Sequence, residues 1–234
     1  MFSSSKPTRY TASLPGFNSC CLKNVPRRVP VIGLVGGVGS GKSHLARQLL
    51  ENHPIAIIEG DTAGHSVLHE TQVKEDIRNT FGAEVFTSQG EVDRRQLGRL
   101  VFGPAPEQKA ARAKLEQIVH PRIRKVLREE LARARERAEI EAVILDAAIL
   151  LEAGWREFCD CVVFVDTPFD ERLKRVSQSR GWTREELLMR EESQFPLERK
   201  RKEAGCVIEN SGDGRHALSQ LEEIYSRVLS GGHS

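Results

Sequence analysis

Short apolar runs rich in valine and isoleucine recur along the chain, and longer stretches between them repeat apolar residues every three or four positions. The runs cover residues 31–35, 55–58, 143–145, 162–165 and 206–208. Such runs are typical of strands buried on both faces, and the intervening pattern is typical of amphipathic helices. The alternation predicts an α/β fold of three layers, in which helices cover both faces of a five-stranded parallel sheet.

Two of the intervals between strands are too long for simple crossover connections. Residues 62–140 separate the second and third runs, and residues 168–205 separate the fourth and fifth. Within the first interval, residues 110–119 and 123–138 show helical spacing, and Pro121 is predicted at the first turn of the second of these helices, where proline is tolerated. We therefore expect one domain over residues 30–234 with two helical insertions.

The most specific motif follows the first apolar run. Residues 36–43 read Gly-Gly-Val-Gly-Ser-Gly-Lys-Ser, a complete phosphate-binding loop between a predicted strand and a predicted helix. Glycines let successive N–H groups face a phosphate, and the helix N-terminus adds partial positive charge. A glycine-rich turn that binds nothing is the alternative. The residues predicted to contact the nucleotide here are Gly36, Gly37, Val38, Gly39, Ser40, Gly41, Lys42, Ser43 and His44.

Within this loop, two side chains have distinct expected tasks. Lys42 is expected to reach the β- and γ-phosphates of a bound nucleotide, and the Ser43 hydroxyl is expected to bind Mg²⁺. In a nucleotide kinase, insertions such as residues 62–140 and 168–205 are the acceptor-binding part and the closing lid.

Carboxylates end two of the predicted strands. Asp61 follows the second strand, where it suits a base for an attacking hydroxyl or, equally, the N-cap of the helix that begins near Thr62. Asp146 ends the third strand, as expected of a Walker B residue that supports Mg²⁺, although apolar strands also end in aspartate by chance.

Basic residues are concentrated in the second insertion. The window 172–202 contains ten of them against five acidic residues, and a kinase lid uses such charges to neutralise the transferring phosphoryl group. Most are nonetheless expected on a solvated helical face, the run 199–202 above all. The ten are Arg172, Lys174, Arg175, Arg180, Arg184, Arg190, Arg199, Lys200, Arg201 and Lys202.

The first insertion contains candidate acceptor ligands. Asp93 is predicted to be a helix N-cap, which leaves Arg94 or Arg95 to meet an anionic acceptor. His120 precedes Pro121 at a predicted helix entry, where a structural role and a ligand-binding role are equally open.

Composition narrows the class of partner. The chain of 234 residues has a formal net charge of only +2, so nothing indicates bulk binding of nucleic acid, and no apolar stretch is long enough to span a membrane. Five cysteines form no C-x-x-C pair, which fits a reducing, cytoplasmic location.

Residues 1–29 carry five basic residues and no acidic one, and they are predicted to be a disordered extension of the domain. A transit peptide or a misassigned start remains open as an alternative.

Taken together, these motifs resemble the dephospho-coenzyme A kinase family from about residue 31 to residue 210. The loop alone is common to many kinases, but the ordered combination is far more specific. Besides the loop, the matching elements are Asp61 with His65, Phe81-Gly82, residues 90–98 with Val101-Phe102, His120-Pro121, Asp146 with Leu150-Leu151-Glu152, residues 165–168, Arg175, Arg180, Arg190, Gln194, Lys200 and residues 207–210.

The resemblance implies an activity: ATP, with Mg²⁺, phosphorylates the ribose 3′-hydroxyl of dephospho-coenzyme A. It makes Asp61 the expected catalytic carboxylate, and Arg175 and Arg190 the lid residues near the phosphates. It assigns the coenzyme to the insertion at 62–140, and Asn210 to the neighbourhood of the adenine. The residues expected to contact the acceptor are Asp61, His65, Arg94, Leu97 and His120.

The chain departs from the family pattern at several positions. Glu59-Gly60-Asp61 stands where Asp-Ala-Asp is usual, and His44 replaces a threonine, so one phosphate-binding hydroxyl is missing. The remaining departures are Ala148-Ile149 in a Pro-Leu element, Gly181 in place of an aspartate, and Gly205 in place of an aspartate. None removes Lys42 or Asp61, so activity is expected.

Two other functions remain possible from the sequence. The first is a kinase for a nucleoside, nucleotide or sugar. The second is a nucleotide-dependent switch or binding module, although the Asn-Lys-x-Asp guanine motif does not occur. Oligomeric state cannot be predicted from these patterns.

Overall fold

A computed structural model describes residues 29–103, 105–212 and 214–231. The predicted extension therefore lies outside the described residues except for Val29. Each apolar run forms a strand, and all four strand pairings are parallel, in the order β2-β3-β1-β4-β5. The strands are β1 Val31–Gly36, β2 Ile55–Glu59, β3 Ala142–Asp146, β4 Cys161–Asp166 and β5 Cys206–Glu209.

Helices cover both faces of this sheet, which confirms the predicted three-layer fold. The described residues contain nine α-helices: α1 Lys42–Asn52, α2 Gly60–Val67, α3 Thr71–Phe81, α4 Arg94–Val101, α5 Pro106–Glu136, α6 Phe169–Arg180, α7 Arg184–Glu192, α8 Leu197–Glu203 and α9 Arg215–Leu229. A short 3₁₀ helix spans Trp155–Phe158.

The central strand β1 shows why both faces must be covered. Val31 and Val35 belong to the core between the sheet, α2 and α5, whereas Ile32 and Leu34 belong to the core between the sheet, α1 and α9. Successive side chains of a strand point to opposite faces, so an uninterrupted apolar run has two faces to bury.

Pro121 does not begin a helix, and the prediction of two helices at 110–119 and 123–138 is wrong. A single helix, α5, runs through the proline. Proline has no N–H for the carbonyl four residues earlier, but that residue, Gln117, is exposed and its carbonyl can bind water. Tertiary packing holds the helix on both sides of the proline. Before it, Leu115 and Ile118 pack against the core formed with α3 and α4, and after it Ile123 and Leu127 belong to the core shared with α2.

The first insertion has a small core of its own. Val73 and Ile77 of α3 pack with Val85, Leu97 and Val101, apart from the two cores of the sheet. The predicted cap is confirmed, because the Asp93 carboxylate accepts hydrogen bonds from the backbone N–H groups of Arg95 and Gln96 in the first turn of α4.

The second insertion consists of α6, α7 and α8, so it is helical, as predicted. No helix within the described residues is long and apolar enough to cross a membrane. Three of the cysteines are described, and all three are partly buried free thiols: Cys161 and Cys206 lie in β4 and β5, and Cys159 precedes β4.

Candidate active site

The phosphate loop connects the carboxyl end of β1 to the first turn of α1. Gly36, Gly39 and Gly41 have φ angles of 151°, 78° and 90°, in the range that favours glycine. A side chain at Gly41 would also lie 2.6 Å from the Asn210 amide. The glycines are therefore required both by the backbone path of an anion-binding loop and by the groups that surround it.

Lys42 lies folded over the loop. Its ammonium donates to the carbonyls of Gly36 and Gly37, at 3.3 and 3.0 Å, and to the Ser40 hydroxyl at 3.3 Å. Burial lowers the pKa of Lys42 to about 8, against the opposing effect of the nearby Asp146 carboxylate. A phosphate would offer this ammonium a stronger partner than carbonyl oxygens.

One carbonyl of the loop is held by three separate elements. The Ser40 carbonyl accepts hydrogen bonds from the Thr167 hydroxyl at 3.0 Å, the Arg175 guanidinium at 3.2 Å and the Asn210 amide at 2.7 Å. Arg175 and Asn210 are thus brought to the loop and brace its backbone. Thr167 was missed as a loop contact, although its place directly after β4 was a usable signal.

Ser43 and Asp146 meet across the site. The Ser43 hydroxyl donates to the Asp146 carboxylate. Asp146 is buried, and burial raises its pKa while the Ser43 hydrogen bond and the Lys42 charge lower it. Within the described part of the chain, no three His, Cys, Asp or Glu side chains converge on a metal position. A hydroxyl and a carboxylate fit Mg²⁺, because it is bound through one or two protein oxygens plus phosphates and water.

Asp61 is not a helix N-cap. Helix α2 begins at Gly60, with Glu59 as its N-cap residue, and Asp61 lies exposed in the first turn. No hydrogen bond or ion pair engages its carboxylate among the residues that the structure describes. Its charge acts on both Lys42 and Asp146, which places it at the same edge of the sheet.

Gly60 explains how α2 approaches the end of β3. A Cβ atom at this position would lie 2.6 Å from the Ala147 side chain and 3.0 Å from Trp155. The departure to glycine at residue 60 therefore suits the close packing that positions Asp61 in this chain.

The predicted acceptor residues are only partly brought together. A guanidinium nitrogen of Arg94 lies 2.6 Å from His65 Nε2, which joins α4 to α2. Leu97 packs inside the core of the insertion, and its contact with the acceptor stays a prediction. His120 stands 6.2 Å from the Trp155 ring, between ring centroids, and burial lowers its pKa.

Arg190 does not contact the phosphate loop. It is exposed on α7, and its guanidinium lies 4.0 Å from the centre of the Trp182 ring. Its neighbour Glu191 does reach the loop, and Arg172, expected on a solvated face, is buried there.

The run 199–202 lies mostly at the surface, as predicted, since Arg199, Arg201 and Lys202 are exposed. Lys200 is the exception within the run, because it is fully buried. It forms an ion pair with Glu152 at 2.9 Å and donates to the Gln194 amide oxygen at 2.8 Å. Lys200 lies three residues after Leu197 and four before Ala204, on the helix face that packs against the core. That spacing was the signal that could have found it.

Comparison with known proteins identifies relatives over nearly the whole described domain. The family model described as dephospho-CoA kinase (CoaE) matches residues 30–215. A dephospho-CoA kinase of Carboxydothermus hydrogenoformans is 34% identical over 202 residues, covering 85% of this chain and 94% of its own. One from Thermus thermophilus is 37% identical over 199 residues, covering 85% and 90%.

Solved structures agree with these matches. A crystal structure from Thermus thermophilus superposes with a TM-score of 0.69 at 35% identity, covering 88% of this chain and 99% of its own. A dephospho-CoA kinase from Campylobacter jejuni superposes with a TM-score of 0.60 at 22% identity, covering 87% and 98%, which supports the fold alone.

Proposed function

The chain belongs to the dephospho-CoA kinase family, and on this premise we propose how its residues transfer a phosphoryl group from ATP to the ribose 3′-hydroxyl of dephospho-coenzyme A. The products are coenzyme A and ADP. The observation that carries the proposal is made at the edge of the sheet, where the charge of Asp61 acts on both Lys42 and Asp146 and Ser43 contacts Asp146. No described residue hydrogen-bonds the Asp61 carboxylate.

The nucleotide half of the site follows from the loop. Backbone N–H groups of residues 36–43 bind the phosphates of ATP, and Lys42 leaves the loop carbonyls to neutralise the transferring group. Ser43 and Asp146 would hold Mg²⁺, which supplies positive charge against the phosphate oxygens when bound.

Asp61 receives the proton in the proposed reaction. As the 3′-hydroxyl oxygen forms its bond to the γ-phosphorus, the bond from that phosphorus to the bridging oxygen of ADP breaks. The hydroxyl proton passes to the Asp61 carboxylate. Asp61 suits this task because it is exposed and has no partner among the described residues to compete for its oxygens.

The two insertions supply the residues that bind the acceptor and the lid residues that approach the phosphates. We propose that the acceptor lies along the first insertion, against the His65–Arg94 pair and His120, and that α7 brings Arg190 toward the phosphates from the lid. Arg175 already contacts the loop through the Ser40 carbonyl. Asn210 braces the same carbonyl, and its place near the adenine stays part of the proposal.

The first test is ADP release from ATP and Mg²⁺ with dephospho-coenzyme A, beside adenosine, AMP and an acceptor-free control. We expect stimulation by dephospho-coenzyme A that the other acceptors do not match. A preference for a nucleoside would overturn the assignment of dephospho-coenzyme A as the acceptor. ATP binding without any phosphoryl transfer would support a nucleotide-binding module in place of an enzyme.

A cytoplasmic location is proposed as well, because Cys159, Cys161 and Cys206 are free thiols.

A further inference from the structure

The lid helix α7 places a carboxylate on the phosphate loop. Glu191 Oε1 accepts a hydrogen bond of 3.1 Å from the backbone N–H of Val38, a residue of the loop itself. Backbone N–H groups of such a loop serve to bind phosphate oxygens. A carboxylate oxygen here uses a donor that the nucleotide would otherwise have.

Arg172 of α6 pairs with the same carboxylate oxygen. Its side chain is only 4% exposed, and the guanidinium also donates to the Thr167 carbonyl at 3.1 Å and to the Val38 carbonyl at 3.4 Å. These two carbonyls hold the guanidinium beside the loop whether or not Glu191 is present. Arg172 is thus held against the loop by backbone carbonyls, and Glu191 is an anionic partner that another anion can replace.

Gly37 marks how closely the pair lies on the loop. A Cβ atom at Gly37 would lie 2.7 Å from an Arg172 nitrogen and 2.9 Å from Glu191 Oε1. The pair therefore covers the loop itself rather than a neighbouring surface, and any residue other than glycine at this position would displace it.

We propose that Glu191 takes the place of a phosphate oxygen at the loop, and that a nucleotide phosphate displaces it and takes Arg172 as a further phosphate-binding residue. A phosphate group satisfies the Val38 N–H and the guanidinium together, since it is anionic and has several acceptor oxygens. The displaced side chain has room to move, because Glu191 also lines a cleft of about 620 Å³ between α5 and α7.

This inference rests on the proposed function only in that the loop binds a nucleotide, so ADP binding without any acceptor tests it. When a competing contact fills the loop about 90% of the time, the apparent affinity is lowered about tenfold. We expect Glu191→Gln to tighten ADP about tenfold in calorimetry. Glu198→Gln, which removes the same charge from an exposed position of α8, should leave the affinity unchanged.

Arg172→Met separates a phosphate contact from a role limited to holding Glu191. Introduced into the Glu191→Gln protein, it should weaken ADP about tenfold if the guanidinium binds phosphate, and Arg172→Lys should restore part of the loss. Unchanged affinity in the double variant would overturn the phosphate contact. Equal or weaker ADP binding by Glu191→Gln alone would overturn the displacement.

Thermal unfolding of the same variants adds a second readout, the increase in Tm on adding ADP, which would not change if the pair of Glu191 and Arg172 were purely structural. Glu191→Gln leaves a buried guanidinium without its carboxylate, so the ligand-free protein should melt earlier, while the increase in Tm on adding ADP should exceed that of the wild type. An equal increase would count against the displacement. If dephospho-coenzyme A proves not to be an acceptor, the proposed function fails, and the ADP measurements still decide this inference.

Discussion

The two sides of the proposed site are built differently. On the nucleotide side, Ser40, Lys42 and Asn210 are buried and hydrogen-bonded to one another or to the loop. On the acceptor side, Asp61 is exposed, and a contact between His65 and Arg94 links α2 to α4. Folding completes the hydrogen bonds of the nucleotide side, whereas on the acceptor side the Asp61 carboxylate has no hydrogen-bond partner among the described residues.

Burial explains the difference. A buried donor or acceptor without a partner costs about 1–3 kcal/mol, so the loop side chains must be satisfied even without a nucleotide. Lys42 and Glu191 accordingly use loop carbonyls and a loop N–H, the latter as a substitute for phosphate. Exposed groups such as Asp61 are satisfied by water and need no such substitute.

The largest effect that would separate the two sides is expected at Asp61. Asp61→Asn removes the proton acceptor and should lower turnover by about 10²–10⁴-fold. ADP affinity, measured by calorimetry, should stay unchanged because the nucleotide side is complete without this carboxylate. Glu59→Gln, two residues earlier, is the matched control and should retain turnover. Near wild-type turnover in Asp61→Asn would remove Asp61 from catalysis.

On the nucleotide side, the expected effect is a pH dependence. The pKa of Lys42 is lowered to about 8, so the ammonium is charged below that pH and neutral above it. Phosphate binding needs the charged form, so ADP affinity should fall about tenfold between about pH 7 and about pH 9, and binding at the higher pH should take up a proton. Calorimetry in buffers of different protonation enthalpy measures both.

Lys42→Met is the control for that titration. This variant should bind ADP more weakly and show no fall between the same two pH values. A parallel fall in both proteins would assign the titration to another group and would contradict a role for Lys42.

The smallest effect is expected at the His65–Arg94 contact. His65→Ala removes the contact that holds the Arg94 guanidinium in place for the acceptor. The KM for the acceptor should therefore rise by about three- to tenfold, the range expected for the loss of one hydrogen bond. Neither kcat nor ADP affinity should change. A fall in ADP affinity instead would mean that the two sides are coupled, and the contrast between them would have to be abandoned.

Much of the framework could be predicted from the sequence because it depends on local patterns. The five strands, the loop from Gly36 to Ser43 and the positions of Asp61 and Asp146 follow from short apolar runs and from the residues that end them. Asp93 was recognisable as a cap for the same reason, since its partners lie two and three residues away.

The tertiary structure decided what local patterns could not. Lys200 and Arg172 read as surface charges, yet both are buried, because Glu152 lies 48 positions from Lys200 along the chain and Glu191 lies 19 from Arg172. Helix α5 continues through Pro121 because packing from α2, α3 and α4 outweighs one missing hydrogen bond. The sequence by itself determined the five strands and where the phosphate loop lies. The meeting of distant side chains determined which charges are buried, because a charge can be buried only where folding brings it a partner.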